Sequence, residues 1–269
     1  MNHTRLLCAL SAILILASTA SAHHGQDFLI VQDVQLPKPG SLRLVGNFEW
    51  ESYETGDEFG LIPGVMVGVM DRLALAVDVH FRDEAGSNWN YSNITPAVFF
   101  DLTPSSDKFP FKIGLTAGYQ FANSSSADPA MDREEEEEHG DHHHADEEET
   151  GHAHTHGGSI HNHDSDAFTS RLILETNIGE TKLVANLIAL AGDGSAAWGY
   201  AFGARHKLNH VFAVGGEAMG DFDSEGWQEL VAGIYLEPCS AFTFRIGAGF
   251  GLTDATPDFT LRTGFVLRF

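Results

Sequence analysis

Apolar and polar residues alternate along most of this chain with a period of two. Over residues 259–269 the odd positions carry Phe, Leu or Thr, whereas the even positions carry Thr, Arg, Gly or Val. Residues 241–252 and 72–82 repeat the alternation. Successive side chains of a β-strand point to opposite sides. The pattern therefore predicts strands with one apolar face and one small or polar face.

Twelve runs of this kind follow one another, and most are ten to thirteen residues long. Strands of ordinary globular proteins average about five or six residues, whereas a tilted strand that crosses a membrane needs about nine to eleven. We therefore predict an all-β fold, a transmembrane antiparallel up-and-down barrel of about 12 strands. Pro63 and Pro96 fall inside two runs and are the weakest points, because proline cannot donate to a strand ladder. The runs are 42–52, 58–70, 73–82, 90–102, 110–122, 167–178, 181–191, 196–207, 210–219, 227–238, 241–252 and 258–269.

The connections between the runs support a membrane barrel. Tight turns, as at 71–72 and 179–180, tend to alternate with longer polar loops at 83–89, 123–166 and 220–226. Short periplasmic turns and long external loops are typical of transmembrane barrels. If both ends of the barrel lie in the periplasm, residues 123–166 lie outside the cell. Aromatic residues near the external strand ends would form the interfacial girdle: Trp50, Tyr53, Trp89, Tyr91, Trp198, Tyr200 and Trp227.

The chain ends in an aromatic residue, Phe269, preceded at alternate positions by Leu267 and Phe265. This ending resembles the C-terminal signature of bacterial outer-membrane β-barrel proteins, among them small porins and transporters. The resemblance extends over the N-terminal signal, the run of strands and the last eleven residues. It implies that these three residues are read by the barrel assembly machinery, and it implies little about activity.

The N-terminal residues carry the features of a cleaved export signal. An apolar run from Leu6 to Leu16 precedes Ala20-Ser21-Ala22, the small-residue pattern that signal peptidase recognises. We expect residues 1–22 to direct export through the Sec pathway to the outer membrane of a Gram-negative cell and to be removed. Residues 23–41 would then form a periplasmic segment or a plug, and residues 42–269 would form the barrel.

Residues 123–166 differ in composition from the rest of the chain. They hold fourteen acidic residues and nine of the 15 histidines, with Arg133 as the one basic residue. So polar a segment cannot bury enough apolar surface to fold by itself, and we expect a long disordered loop. Neutral imidazole is a good ligand for Zn²⁺, Ni²⁺ and Cu²⁺. The candidate metal ligands, with zinc as first choice, are His139, His142, His143, His144, His152, His154, His156, His161 and His163.

Two interpretations of this loop remain open. Acidic runs are commonly solvated surface, and this one would then shield the barrel or bridge lipopolysaccharide through divalent ions. The interleaved histidines favour transition-metal capture instead. Without a thiolate or a methionine cluster the loop is a poor site for Cu⁺, and no feature of the chain predicts an organic cofactor. The net charge of −23 argues against nucleic acid as a partner.

The polar faces of the predicted strands carry charges of both signs, which should pair inside a narrow lumen. Twelve strands lie between the filled eight-stranded and the open sixteen-stranded barrels, so a narrow pore or a plugged interior is expected. The candidate lumen residues are Glu49, Asp78, His80, Arg82, Arg171, Glu175, Arg205, Glu217, Arg245 and Arg262.

These features predict an outer-membrane barrel that captures a divalent transition metal with its loop and lets it permeate passively. The alternatives are a channel for small organic solutes and a structural surface barrel, in both of which the loop is only a shield. No enzymatic activity is expected, because no motif links His80, His206 or His210 to a serine or to paired carboxylates. The expected partners are outer-membrane lipid and lipopolysaccharide, the assembly machinery and divalent metal ions.

Overall fold

In the computed structural model, twelve antiparallel strands close into one barrel. The structure describes residues 27–84, 89–105, 109–123, 159–160, 165–192 and 195–269. The predicted export signal and all nine candidate metal-binding histidines lie outside these residues. Within the described ranges, no helix is long and apolar enough to cross a bilayer.

Each strand pairs with the next along the chain, and the last pairs with the first to close the ring. The predicted fold class and strand number are therefore confirmed, and every strand begins and ends within two residues of its predicted bounds. The strands are β1 (Leu42–Tyr53), β2 (Gly56–Met70), β3 (Leu73–Glu84), β4 (Asn90–Asp101), β5 (Lys112–Ala122), β6 (Ala167–Ile178), β7 (Thr181–Gly192), β8 (Ser195–Lys207), β9 (Phe212–Asp221), β10 (Gln228–Cys239), β11 (Phe242–Gly251) and β12 (Phe259–Arg268).

The period of two decides which side chains enter the barrel. In β12, Thr260 and Val266 are fully buried in the interior, whereas Phe269 at the end of the strand is 68% exposed. Phe202 and Phe250 on other strands are also more than half exposed. The outer wall is thus a belt of exposed Phe, Leu, Ile and Val side chains, a surface suited to lipid rather than water.

Pro63 and Pro96 are accommodated inside β2 and β4. Each keeps its partner on one side, in β1 and β3 respectively. On the other side, the pairing with β3 or β5 is interrupted around the proline and resumes in the same register. A missing N–H interrupts the ladder toward one neighbour only, so neither proline ends its strand.

The two ends of the barrel differ. We call the end that carries both barrel termini the turn end; its connections are short except for residues 102–111. Gly179 there has a φ of 59°, a conformation that glycine adopts without steric cost. The opposite end, the loop end, carries the connections 85–89, 123–166 and 222–227 among others.

The N-terminal segment fills part of the interior. The sequence left open whether this segment enters the lumen or lies beneath it, and residues 27–36, which we call the plug, lie inside. Phe28 and Val31 are fully buried, and with Leu29 they belong to the main apolar cluster of the barrel. The wall leaves room for them at glycines: a Cβ on Gly203 would stand 2.8 Å from the Phe28 ring and 3.2 Å from Val31. The wall and the plug therefore fit each other closely.

Candidate functional site

One buried carboxylate holds the backbone of the plug. Glu217 on β9 accepts hydrogen bonds from the N–H groups of Leu29 at 2.7 Å, Ile30 at 2.7 Å and Val31 at 2.9 Å. Its fourth donor is the Tyr235 hydroxyl, at 2.5 Å. Four donors satisfy a charge that would otherwise be costly to bury, so the plug and Glu217 depend on each other.

Further wall residues extend this binding along the plug. The Asn186 amide accepts from the Gln32 N–H at 2.9 Å and donates to the Gln32 carbonyl at 2.8 Å. Glu175 accepts from the Val34 N–H at 3.1 Å, and Arg245 donates to the Phe28 carbonyl. The lumen therefore recognises an extended peptide by its backbone groups.

An ion network anchors the plug at the turn end. The Lys182 ammonium lies 2.9 Å from an Asp27 carboxylate oxygen and 2.8 Å from an Asp33 oxygen. Arg205 and Arg268 also face Asp27, at 3.5 and 3.4 Å. Burial alone would raise the pKa of the Asp27 carboxyl, but the three positive charges outweigh burial and hold that pKa below its ordinary value. Asp27 therefore stays ionised and paired.

Toward the loop end, several carboxylates surround Arg262. Its guanidinium lies 2.8 Å from Glu229 and 3.3 Å from Glu51, and it also contacts Glu49. Glu229 is fully buried and also accepts from the Thr260 hydroxyl. Three carboxylates around one guanidinium give this part of the lumen an acidic character.

The lumen is polarised along its axis. Carboxylates outnumber bases in the half toward the loop end, whereas bases outnumber carboxylates toward the turn end. The loop-end half carries Glu49, Glu51, Glu58, Asp78, Asp221 and Glu229 against Arg82, Arg171 and Arg262. The turn-end half carries Arg43, Lys112, Lys182, Arg205, Lys207 and Arg268 against Asp27, Asp33, Glu175 and Glu237.

Two cavities lie along the inner wall between β1 and β7, and one of them meets the plug. The larger, which we call the chamber, has a volume of about 80 Å³. Its wall includes Asp78, His80 and Arg171, together with Gln32 of the plug. The smaller cavity, of about 20 Å³, is a cleft at the loop end lined by Glu51, Glu58 and Arg82, among others. His80 lines both cavities and so stands between them.

The end of the long insertion is docked into the mouth of the barrel. Ile160 is 4% exposed and belongs to the main apolar cluster. Its N–H donates to Asp221 at 2.8 Å, and the Ser159 hydroxyl donates to the same carboxylate at 2.8 Å. The Trp227 N–H is a third donor to Asp221, at 2.9 Å. The histidine-rich insertion is thus tethered at the loop end through its only branched aliphatic residue.

The ten predicted lumen residues lie on inward faces of their strands. Glu49, Asp78, Arg171, Glu175, Arg205, Glu217, Arg245 and Arg262 are buried, and His80 and Arg82 are half-buried. The structure joins them in separate groups: Glu217 and Arg245 at the plug, Glu49 and Arg262 at the acidic cluster, Asp78, His80 and Arg171 at the chamber. Among the described residues, no three or more His, Cys, Asp or Glu side chains are grouped so that they could hold a metal ion.

Two members of the predicted aromatic girdle were misplaced. Trp227 is 2% exposed and packs in the apolar cluster of the lumen. The Tyr53 hydroxyl turns inward and donates to Glu51 at 3.2 Å. Trp89 and Trp198 do lie on the surface, about half exposed. Position near a strand end does not decide the face. Tyr53 shares the inward face of Glu49 and Glu51 in β1, and Trp227 precedes β10 and folds over the mouth.

Sequence reasoning missed Lys182, Asn186 and Asp221. In β7 both faces are rich in Ala, Val, Leu and Ile, so the alternation gives no clear inward face for Lys182 and Asn186. Asp221 was assigned to a loop although it ends β9. The apolar stretch from Phe28 to Val31 was the available signal for the plug, since four consecutive apolar residues in a short tail need a partner to cover them.

A larger groove, of about 740 Å³, lies on the wall between β6 and β11. Its rim consists of outward-facing Phe111, Leu174, Phe202 and Phe250, all about 40% exposed or more. It opens to the lipid side rather than to the lumen and carries no cluster of polar groups. Its size reflects small Ala and Gly residues between large apolar ones.

No protein-family model matches the chain, and no curated protein matches it. Solved structures share its fold. The KdgM porin is 7% identical, with a TM-score of 0.53 over 84% of this chain and 99% of the porin. The KdgM porin in complex with disordered oligogalacturonate is 8% identical, with a TM-score of 0.51 over 85% and 99% of the two chains. An outer membrane channel from Pseudomonas putida F1 is 12% identical, with a TM-score of 0.52 over 90% and 100%. The fold is therefore that of outer-membrane β-barrels.

Proposed function

We propose that this protein is an outer-membrane channel for a small cation, with divalent zinc as the first candidate and Ni²⁺ and Cu²⁺ next. The loop end would face the exterior, and the histidine-rich insertion would collect the ion there. The acidic loop-end half of the lumen is the observation that carries the proposal. Carboxylates around a narrow mouth raise the local concentration of cations and favour their entry.

The tether of the insertion supports this assignment. Ser159 and Ile160 hold one end of the insertion against Asp221, at the mouth itself. An ion held by the insertion would therefore be released close to the acidic entrance. Passive permeation suits the fold, and the described residues add no unit beyond the barrel and its plug.

Calorimetric titration of the detergent-solubilised full chain tests metal capture. We expect Zn²⁺ to bind at about pH 7.4 and to be lost at about pH 5.5, because histidine has an ordinary pKa of about 6.5 and protons displace metal below it. The matched control replaces the nine histidines of the insertion with asparagine and keeps its carboxylates. Equal binding by the control would leave an acidic shield and reject transition-metal capture.

Planar-bilayer recordings test the channel itself. We expect small, cation-preferring currents from the full chain. A variant in which residues 27–36 are replaced by a Gly/Ser segment should give larger currents, because the plug fills much of the lumen. A barrel that stays silent even without its plug would reject a channel and favour a structural role.

A channel for small organic solutes is the second candidate. The observation that favours it is the chamber, where Asp78 and Arg171 line one cavity and offer both charges to a polar molecule. A solved relative in fold, the KdgM porin, has been studied with oligogalacturonate. Proteoliposome swelling by neutral and zwitterionic solutes, compared with zinc flux into the same vesicles, separates the two candidates.

A further inference from the structure

The plug divides the lumen into two unlike sides. On the side of β6 to β11, Phe28, Leu29 and Val31 pack against the wall, and Leu29 fills the spaces at Gly233 and Gly247. That side is filled by these apolar contacts and by the buried hydrogen bonds of Glu217 with the plug. A solute could pass there only if these side chains left the wall and exposed their buried apolar surface to water.

The other side of the plug contains space and carries polar groups. Gln32 faces it, and its side-chain oxygen accepts from the Thr116 hydroxyl at 3.3 Å. The chamber also meets Thr95, Gln120 and Thr169. Its volume of about 80 Å³ admits about two or three water molecules at roughly 30 Å³ each. Hydroxyl, amide and charged groups share its wall with Ala97, Phe99, Ile160 and Leu190. Water or a small polar solute therefore finds hydrogen-bond partners on part of the wall.

Below the chamber, an apolar layer closes the way to the turn end. Met66, Ala74 and Phe99 are all at most 2% exposed, and Leu36 of the plug packs against them. Phe99 lines the floor of the chamber as well. We call this layer the seal. A separate cavity of about 600 Å³ opens at the turn end, on the side of β1, β8 and β10 to β12.

Arg43 fixes the plug at the seal. Its guanidinium donates to the Gln35 carbonyl at 3.0 Å and to the Leu36 carbonyl at 2.8 Å. Just beyond, the Gly40 N–H donates to the Gly68 carbonyl at 2.8 Å. Leu36 is thus held at the wall by contacts separate from those that hold the apolar side of the plug.

We infer that the permeation route is off-axis: it enters at the cleft, passes His80 into the chamber beside Gln32, and is gated by the seal of Leu36, Met66, Ala74 and Phe99. An apolar constriction stops conduction by excluding water. The solute class is a small ion or a polar molecule of a few non-hydrogen atoms, and Asp78 and Arg171 set its charge preference. This inference rests on the proposed channel function.

The first test compares two identical substitutions in the plug. Leu36→Ala thins the seal and should raise single-channel conductance severalfold over the wild type. Leu29→Ala shortens the same kind of side chain on the packed side and should leave conductance near the wild-type value. Met66→Ala opens the seal from the wall and should act as Leu36→Ala does. Folding of each variant is checked by the mobility of the unheated barrel on gels.

The second test measures charge preference. In the Leu36→Ala background, Asp78→Asn should shift the reversal potential in a salt gradient toward anions, and Arg171→Gln should shift it toward cations.

A third test places a cysteine at the chamber, as Thr116→Cys in a Cys239→Ser background. The thiol-reactive ion Ag⁺ should reach it from the loop side in every variant, but from the turn side only with Leu36→Ala.

The results of these tests distinguish a failure of the off-axis route from a failure of the proposed channel function. If Leu36→Ala and Met66→Ala conduct no better than Leu29→Ala while the Gly/Ser plug variant conducts well, the off-axis route is wrong and the channel stands. The off-axis route would also be wrong if neither Asp78→Asn nor Arg171→Gln changed the reversal potential. If the Gly/Ser variant is silent, the channel function itself fails.

Discussion

At the scale of single residues, the carboxylate of Glu217 has the widest effect on the interior. It meets three consecutive N–H groups of the plug and the Tyr235 hydroxyl. A backbone donor that loses its partner inside a protein costs about 1–3 kcal/mol. Three backbone N–H groups of the plug therefore depend on one side chain that a single substitution can remove.

Replacing Glu217 with glutamine should loosen the plug without opening the barrel. The amide offers one acceptor oxygen, and its NH₂ group faces backbone donors, so we expect a loss of about 1–3 kcal/mol. Hydrogen exchange of the Leu29, Ile30 and Val31 amides should accelerate by about ten- to a hundredfold. The control is Glu237→Gln, since Glu237 pairs with Arg205 and Lys207 at the turn end and touches none of these amides. Unchanged exchange in the Glu217 variant would contradict the role given to this carboxylate.

At the scale of elements, the strands and the segments inside them follow different rules. A strand needs only its alternation and its neighbours in the chain, and all twelve pair with consecutive partners except at the closure of β12 on β1. The plug and the Ser159–Ile160 tether have no such local pattern. They are held by residues far away in the sequence, such as Glu217 and Asp221.

Ile160→Ala tests the tether of the insertion. Truncation of a buried isoleucine costs about 2–5 kcal/mol, which should undock Ser159 and Ile160 from the mouth. Acrylamide quenching of Trp227, in a chain whose other three tryptophans are phenylalanine, should then increase, because Trp227 shares the Asp221 carboxylate. Leu252→Ala, at an exposed loop-end position, is the control and should leave the quenching unchanged. Equal quenching in both variants would show that Ile160 does not close the mouth.

At the scale of the whole molecule, the ring is closed by the pairing of β12 with β1, which continues as far as Phe269. The Phe269 N–H donates to the Leu42 carbonyl at 2.9 Å, and the Leu42 N–H donates back to Phe269 at 3.3 Å. The Phe269 side chain contributes little to the core, because it is 68% exposed. A substitution of Phe269 can therefore test its predicted role as an assembly signal without greatly changing the stability of the folded barrel.

Phe269→Ala should lower the amount of barrel in the outer membrane severalfold while the assembled fraction unfolds in urea near the wild-type midpoint. The substitution keeps the terminal backbone bonds and removes only an outward ring. Phe250→Ala is matched to it, since Phe250 is also outward and more than half exposed. An equal loss of assembled protein in both variants would mean that lipid contact, and not recognition of the terminus, explains the effect.

Much of the molecule follows from its sequence alone. The number of strands, their bounds and their inward faces were predictable, because the alternation of apolar and polar residues is a local property and consecutive strands pair with each other. Charges such as Glu49 and Arg262 could be placed inside because their strands have one clearly apolar face. The face of Lys182 could not be assigned in this way, since β7 is apolar on both sides.

The tertiary structure decided what occupies the lumen. Nothing local places Leu29 against Glu217, 188 positions away, or Ile160 against Asp221, 61 positions away. Such contacts depend on the shape of the closed wall, on its glycine gaps and on which carboxylates still lack donors once the ring has formed. The chain by itself determines a barrel, whereas the packing inside that barrel determines which side is filled and which side holds the chamber.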